Sequence, residues 1–134
     1  SLMKIFCLSI HNKNYEQFFD VVFSNNVFEH LTNPFIAAQN INKLLRVGGI
    51  VITIAPFSLR YHKVPGDYFR FTHQGLELLF SSAGNYKTLV SGYDIQGRRN
   101  NWQGHADDFN DFVPIDNFGA WRENWFVLNI SKKI

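Results

Sequence analysis

The chain has 134 residues, enough for one domain. Its 46% hydrophobic and 16% aromatic content excludes a disordered polypeptide. Thirteen Lys and Arg against 11 Asp and Glu leave a formal charge of +2, too small and too scattered for a nucleic-acid footprint. No apolar run reaches the roughly 18 residues of a membrane span, and the start has no signal-peptide build. The lone thiol, Cys7, closes no disulfide within the chain and forms no cysteine-based zinc site, so a cytoplasmic protein is expected.

In chain order, residues 4–10 are apolar and β-prone and predict a first strand. Residues 11–18 are polar and rich in Asn, a loop. Residues 20–24 are a continuous apolar run, as in a strand buried on both faces of a parallel sheet. Thr32-Asn33-Pro34 opens a helix, with Asn33 as its cap and Pro34 at its first position. Phe35, Ala38, Ile41, Leu44 and Leu45 recur at helical spacing, and Gly48-Gly49 is expected to stop the helix. Residues 50–55 form the next buried strand, so the segment reads as a right-handed βαβ crossover. A long loop follows over residues 56–71. Thr72 caps a second helix through Leu76, Leu79 and Phe80, ending at Gly84. Residues 86–93 read as a strand, residues 96–119 as a long connection, and Trp125 to Ile130 as the last strand. Val21, Val22, Phe23, Ile50, Val51, Ile52, Ile54, Phe126 and Leu128 are the expected core.

Three segments carry a resemblance. The first is Asp-Val-Val-Phe-Ser-Asn-Asn-Val-Phe-Glu-His-Leu at residues 20–31. The second is Leu44-Leu45-Arg46-Val47-Gly48-Gly49 with the strand after it. The third is His-Lys-Val-Pro-Gly-Asp-Tyr-Phe-Arg-Phe-Thr at residues 62–72, then Gly75-Leu76. In this order they resemble strand four, strand five and the loop after strand five in the class I S-adenosylmethionine-dependent methyltransferases of type 11. The resemblance covers about residues 19–95, and residues 121–133 fit the terminal strand. Val47, where the family usually has Pro before the two glycines, is a departure. The resemblance implies an α/β fold: a partial Rossmann-like methyltransferase sheet lacking the first two strands, in a single truncated domain spanning residues 1–134.

In open α/β sheets ligands bind beyond the carboxyl ends of the strands. Ser24, Asn25, Asn26 and Val27 stand there, and the resemblance implies that they flank S-adenosylmethionine. The alternative is that Asn25 and Asn26 only make the turn. His30 is a candidate acid/base group or a histidine that packs and caps; the second reading is favoured. His62, Tyr68 and Arg70 come after strand five, where the resemblance places the acceptor substrate. Asp67 and Arg70 more simply form an ion pair that pins the loop. His105, Asp107, Asp108 and Asp111 match no metal-binding spacing, so no metal site is expected.

The family's glycine-rich loop and the acidic residue for the cofactor's ribose have no counterpart in this sequence. The chain by itself is therefore expected not to bind S-adenosylmethionine. Without strand one beside it, strand four would be a bare edge. The first strand can cover that edge within one chain, or a second copy can supply the cover. A homodimer is the favoured expectation, with a partner chain supplying the missing half as the other. Two functions are in view: methyl transfer completed by such a partner, and a non-catalytic interaction or regulatory module built on the same fold.

Overall fold

Apolar β-prone sequence and two capped helices set the architecture. The computed structural model describes residues 2–4, 15–59, 61, 66–93 and 125–134. In chain order they form β1 (Leu2–Lys4), β2 (Phe19–Asn25), α1 (Pro34–Leu44), β3 (Leu45–Ser58), α2 (His73–Ala83), β4 (Tyr86–Tyr93) and β5 (Trp125–Lys133). One turn of 3-10 helix, Phe28–His30, comes after β2. The sheet order is β1-β2-β3-β5-β4. β1, β2 and β3 run parallel, and β5 lies antiparallel between β3 and β4.

Both helix starts agree with the sequence. Asn33 Oδ1 accepts a hydrogen bond from the Ile36 amide at 3.1 Å, and Thr72 Oγ1 accepts one from Gly75 at 3.0 Å. Each satisfies an amide that the first turn leaves without an intrahelical partner. The end of α1 differs from expectation. It stops at Leu44, and Leu45 is already extended. Lys133 reaches over from β5 and donates to the carbonyls of Asn42 and Leu45 at 2.5 and 2.9 Å. Gly48 and Gly49 instead lie inside β3. Leu45 pairs with Phe19 and Ile50 with Val21, so three surplus residues of β3 bulge out. Gly48 takes φ +80°, the left-handed region that favours glycine. A Cβ at Gly49 would stand 2.9 Å from the Arg46 carbonyl oxygen.

Helix α1 buries Pro34, Ala38, Ile41 and Leu44, while Phe35 is 45% exposed and does not join the core. Successive helix residues turn by about 100°, and Pro34 rather than Phe35 heads the inward stripe. The expected core is also one-sided. Val22 and Val51 are fully buried, whereas Val21, Phe23, Ile50, Ile52, Ile54, Phe126 and Leu128 are half-buried. Burial alternates along each strand: Val22 and Ser24, then Val51, Thr53 and Ala55, then Val127, Asn129 and Ser131. The physical reason is handedness. β2-α1-β3 and β3-α2-β4 advance across the sheet in the same direction, so right-handed crossovers put both helices on one face.

The N-terminal strand lies against the outer edge of β2, Leu2 opposite Val21 and Lys4 opposite Phe23. The pairing occurs within one chain, so this edge does not itself call for a second copy. Residues 5–10 of the expected first strand, the connection at 96–119 and the residues around His105 lie outside the described residues. Among the described residues no helix is long and apolar enough to cross a membrane.

Candidate functional site

β2 ends where the chain must turn away from the sheet. Asn26 makes that turn in a left-handed conformation, φ +51°, and its amide donates to the Ile54 carbonyl at 3.0 Å. Asn tolerates this region better than most side chains. Both Asn25 and Asn26 are exposed, and both line a cleft of about 640 Å³. Its other walls are Ile54 of β3, Val90 to Tyr93 of β4, and Phe126 to Leu128 of β5. The cleft opens on the uncovered face of the sheet, beside the carboxyl end of β2; open α/β sheets bind ligands near such strand ends. Its size is that of a small-molecule site.

The four residues expected around a cofactor divide. Asn25 and Asn26 reach the cleft; Ser24 and Val27 do not line it. Ser24 is fully buried on the helix-covered face, in register with Thr53, which is in register with Asn129. Strand alternation places it there, since residues one apart point to opposite faces. Ser24 Oγ, Thr53 Oγ1 and Asn129 Nδ2 are buried without hydrogen-bond partners among the described residues. Such a row is where ordered water resides in a folded protein.

His30, Tyr68 and Arg70 come together away from the cleft lining, in a knot that docks the loop after β3 onto the turn after β2. The amides of Tyr68 and Phe69 both donate to the Glu29 carbonyl, at 2.8 and 3.3 Å. His30 Nδ1 is hydrogen-bonded to the Gly66 carbonyl. Arg70 forms a two-pronged ion pair with Asp67, one prong Nη2 to Oδ2 at 2.7 Å, and donates to the Leu59 carbonyl from Nε and Nη2. The Asp67 side chain is fully buried. Its hydrogen bond holds the Arg70 pKa above the usual value, and the nearby Glu29 carboxylate adds to this. Gly66 leaves room for the Tyr68 ring, whose Oη would stand 2.5 Å from any Cβ there. The Asp67–Arg70 pin anticipated from the sequence therefore forms. His62 lies outside the described residues.

The far wall of the cleft is the part sequence reasoning missed. Phe126 and Leu128 read as core from their apolar run, and Tyr93 read as a strand end. A pile of aromatic residues stands at the adjoining ends of β3, β4 and β5, on the helix-covered face, since Tyr93 is in register with the fully buried Val127. Tyr93 packs edge-on against Phe57, Trp125 and His73, with ring centroids 4.9, 6.0 and 5.2 Å away.

Residues 2–53 match the methyltransferase domain family. The chain superposes on a Bacillus halodurans protein assigned as a methyltransferase, with TM-score 0.61 and 12% identity over 88% of this chain and 71% of that one. The fold is that of the class I methyltransferases. A Haemonchus contortus phosphoethanolamine N-methyltransferase in complex with S-adenosylmethionine gives TM-score 0.54 at 12% identity, covering 88% of this chain and 34% of that one. A chain from the complex of the Haloferax volcanii Trm112 methyltransferase activator with a methyltransferase gives 0.56 at 16% identity, covering 87% and 54%. Against these last two the chain spans about half the length or less. No curated protein matches it significantly.

Measured against S-adenosylmethionine, the methyltransferase-fold cleft fits in part. Asn25 and Asn26 offer amide donors and acceptors, but among the described residues that line it none is Asp or Glu to hold ribose hydroxyls. Among the described residues no group of three or more His, Cys, Asp or Glu could hold a metal ion.

Proposed function

We propose that this chain, a single truncated domain, is one half of a methyltransferase-fold assembly and holds S-adenosylmethionine only with a companion. The observation that carries this is the make-up of the cleft. Two asparagines stand at the carboxyl end of β2; among the described residues of the cleft none is acidic, and no glycine-rich loop precedes them in the sequence. A companion, a second copy or a different chain, would bring those parts. In methyl transfer a sulfonium methyl passes in line to a nucleophile, and catalysis is mostly positioning. Asn25 and Asn26 would orient one end of the bound molecules, and Ile54, Phe126 and Leu128 would exclude water from the other.

The second reading is a non-catalytic module on the same fold, acting as a transferase's regulatory partner. It is favoured by the described lining of the cleft, where no residue is Asp, Glu, His or Lys to move a proton. Calorimetric titration tests the first claim. The purified chain is expected to bind S-adenosylmethionine and S-adenosylhomocysteine no tighter than about 1 mM, worth ~4 kcal/mol. A micromolar dissociation constant for the chain alone would overturn it, and Asn25→Leu should then weaken binding.

A further inference from the structure

The register of the strands arranges the side chains opposite the two helices in rows. Val21, Ile50, Lys132 and Lys87 are successive partners across β2, β3, β5 and β4 and form one row. The next row on that side is Phe23, Ile52, Ile130 and Val90. Partners across a ladder point to the same side, and the alternate residues, such as Val22, Val51 and Ser131, lie buried under the helices. The second row is apolar throughout. Phe23, Ile52 and Ile130 are half-buried, and Val90 is 47% exposed. The apolar side chains of the two rows extend about 14 Å across the strands and about 7 Å along them, the footprint of about two to three turns of helix.

The first row ends in positive charge. Lys87 and Lys132 stand directly opposite each other on adjacent strands, and both are exposed. Like charges in that relation repel. Neither ammonium has an ion pair among the described residues. Lys133, on the other side of β5, is engaged by the carbonyls of Asn42 and Leu45. Among the described strands the one acidic side chain is Asp20, and Arg46 pairs with it. An apolar band with unbalanced positive charge at one corner results.

From these features we infer that this face takes an amphipathic helix of a companion chain, its apolar stripe on Phe23, Ile52 and Ile130 and its acidic end over Lys87 and Lys132. The inference rests on the companion reading proposed above and names the contact through which that companion attaches. Crossover handedness favours a helix there, because units running the other way from β2 place theirs on this side. A carboxylate set between the two ammoniums would relieve their repulsion and fix the register of the helix. The described helices of a second copy do not supply such an end. Helix α1 has no acidic residue, and Glu77 of α2 lies in mid-helix. A flat anionic membrane matches this surface poorly, since neighbouring strands twist by about 20°.

The test uses two synthetic peptides of about 18 residues, cross-linked on the outer side to hold them helical. They share one leucine stripe and differ only in carrying Glu or Lys at one end. Fluorescence anisotropy with the full chain is expected to give a dissociation constant of about 0.1 mM for the Glu peptide and at least about tenfold weaker binding of the Lys peptide. The preference should shrink as salt rises. Lys87→Glu combined with Lys132→Glu keeps a like-charged pair on the surface, so the thermal midpoint should hold while the preference reverses to the Lys peptide. Ile52→Ser should keep a cooperative melt and weaken the Glu peptide at least about threefold. Phosphatidylserine vesicles are expected not to sediment the chain. No saturable binding of the Glu peptide, equal affinity for the two peptides, or an unreversed preference in the double variant would each overturn the inference. Sedimentation with vesicles in place of peptide binding would also overturn it. The cofactor titration is a separate readout. Micromolar S-adenosylmethionine binding by the chain alone would sink the half-assembly reading and leave the peptide result standing.

Discussion

At the scale of single residues, the chain uses its polar side chains mostly to hold turns. Asn33 and Thr72 cap helices, Lys133 ties down the last carbonyls of α1, and Asp67 with Arg70 knots the loop after β3. The caps and the Asp67–Arg70 pair were legible because they depend on spacing of three residues or fewer. The Lys133 contact was not legible, since it joins residues 91 apart in sequence. Tyr86 is a different case. Its ring packs on Phe80 at 5.7 Å, and its hydroxyl is buried with no partner among the described residues. Burial pushes its pKa from 10 up to about 12, because the phenolate would lose its hydration. The folded state therefore keeps the proton to higher pH than the unfolded chain does. This contribution to stability is fully present below pH 10 and is lost as pH rises toward about 12. Tyr86→Phe should melt no lower than the parent at neutral pH, since it removes a buried hydroxyl without removing a bond. It should also flatten the alkaline fall in stability. Denaturant melts across the pH range check both, and an alkaline limb identical in the variant would remove Tyr86 as its source.

Elements show where the reading from sequence worked and where it could not. The strands and helices expected within the described residues are present, because alternation, capping and the 3.6-residue period are local signals. The Gly-Gly pair misled, since a helix stop and a strand bulge both favour glycine. Which face of a strand is buried is not local at all. It depends on the direction in which the crossovers run. Neighbouring residues of β3 therefore give a sharp test. Val51 is fully buried beneath the helices, and Ile52, on the opposite face, is half-buried. Val51→Asp would place an unpaired carboxylate in the core, at several kcal/mol, and should prevent soluble folding. Ile52→Lys can send its ammonium out along the open side and should cost about 1–2 kcal/mol, leaving a cooperative melt. Equal damage from the two would mean that both faces of β3 are closed. A soluble, cooperatively melting Val51→Asp chain would refute the placement of the strand.

For the whole molecule, the question is what the sheet lacks. Units built outward from β2 toward β4 place α1 and α2 on one face. Units starting on the other side of β2 and running the opposite way would place their helices on the opposite face. That face carries Phe23, Ile52 and Ile54, which supports a companion half of the fold as the natural cover. The outer edge of β2 has a simpler cover, since Leu2–Lys4 pair there in parallel register. Three residues supply few ladder bonds, yet they occupy the backbone groups of a strand otherwise open to another chain. Deleting residues 1–4 separates the two requirements. If β1 is what keeps that edge from intermolecular pairing, the shortened chain should show a larger mass by light scattering, growing with concentration. Its melting temperature should also fall, by an amount corresponding to about 1–2 kcal/mol. The parent chain at the same concentration supplies the reference. Should it already scatter as a dimer, the apolar face rather than the strand edge is the contact, and Ile52→Lys should return it to a monomer. If the shortened chain keeps both the mass and the melting temperature of the parent, β1 does not guard the edge of β2.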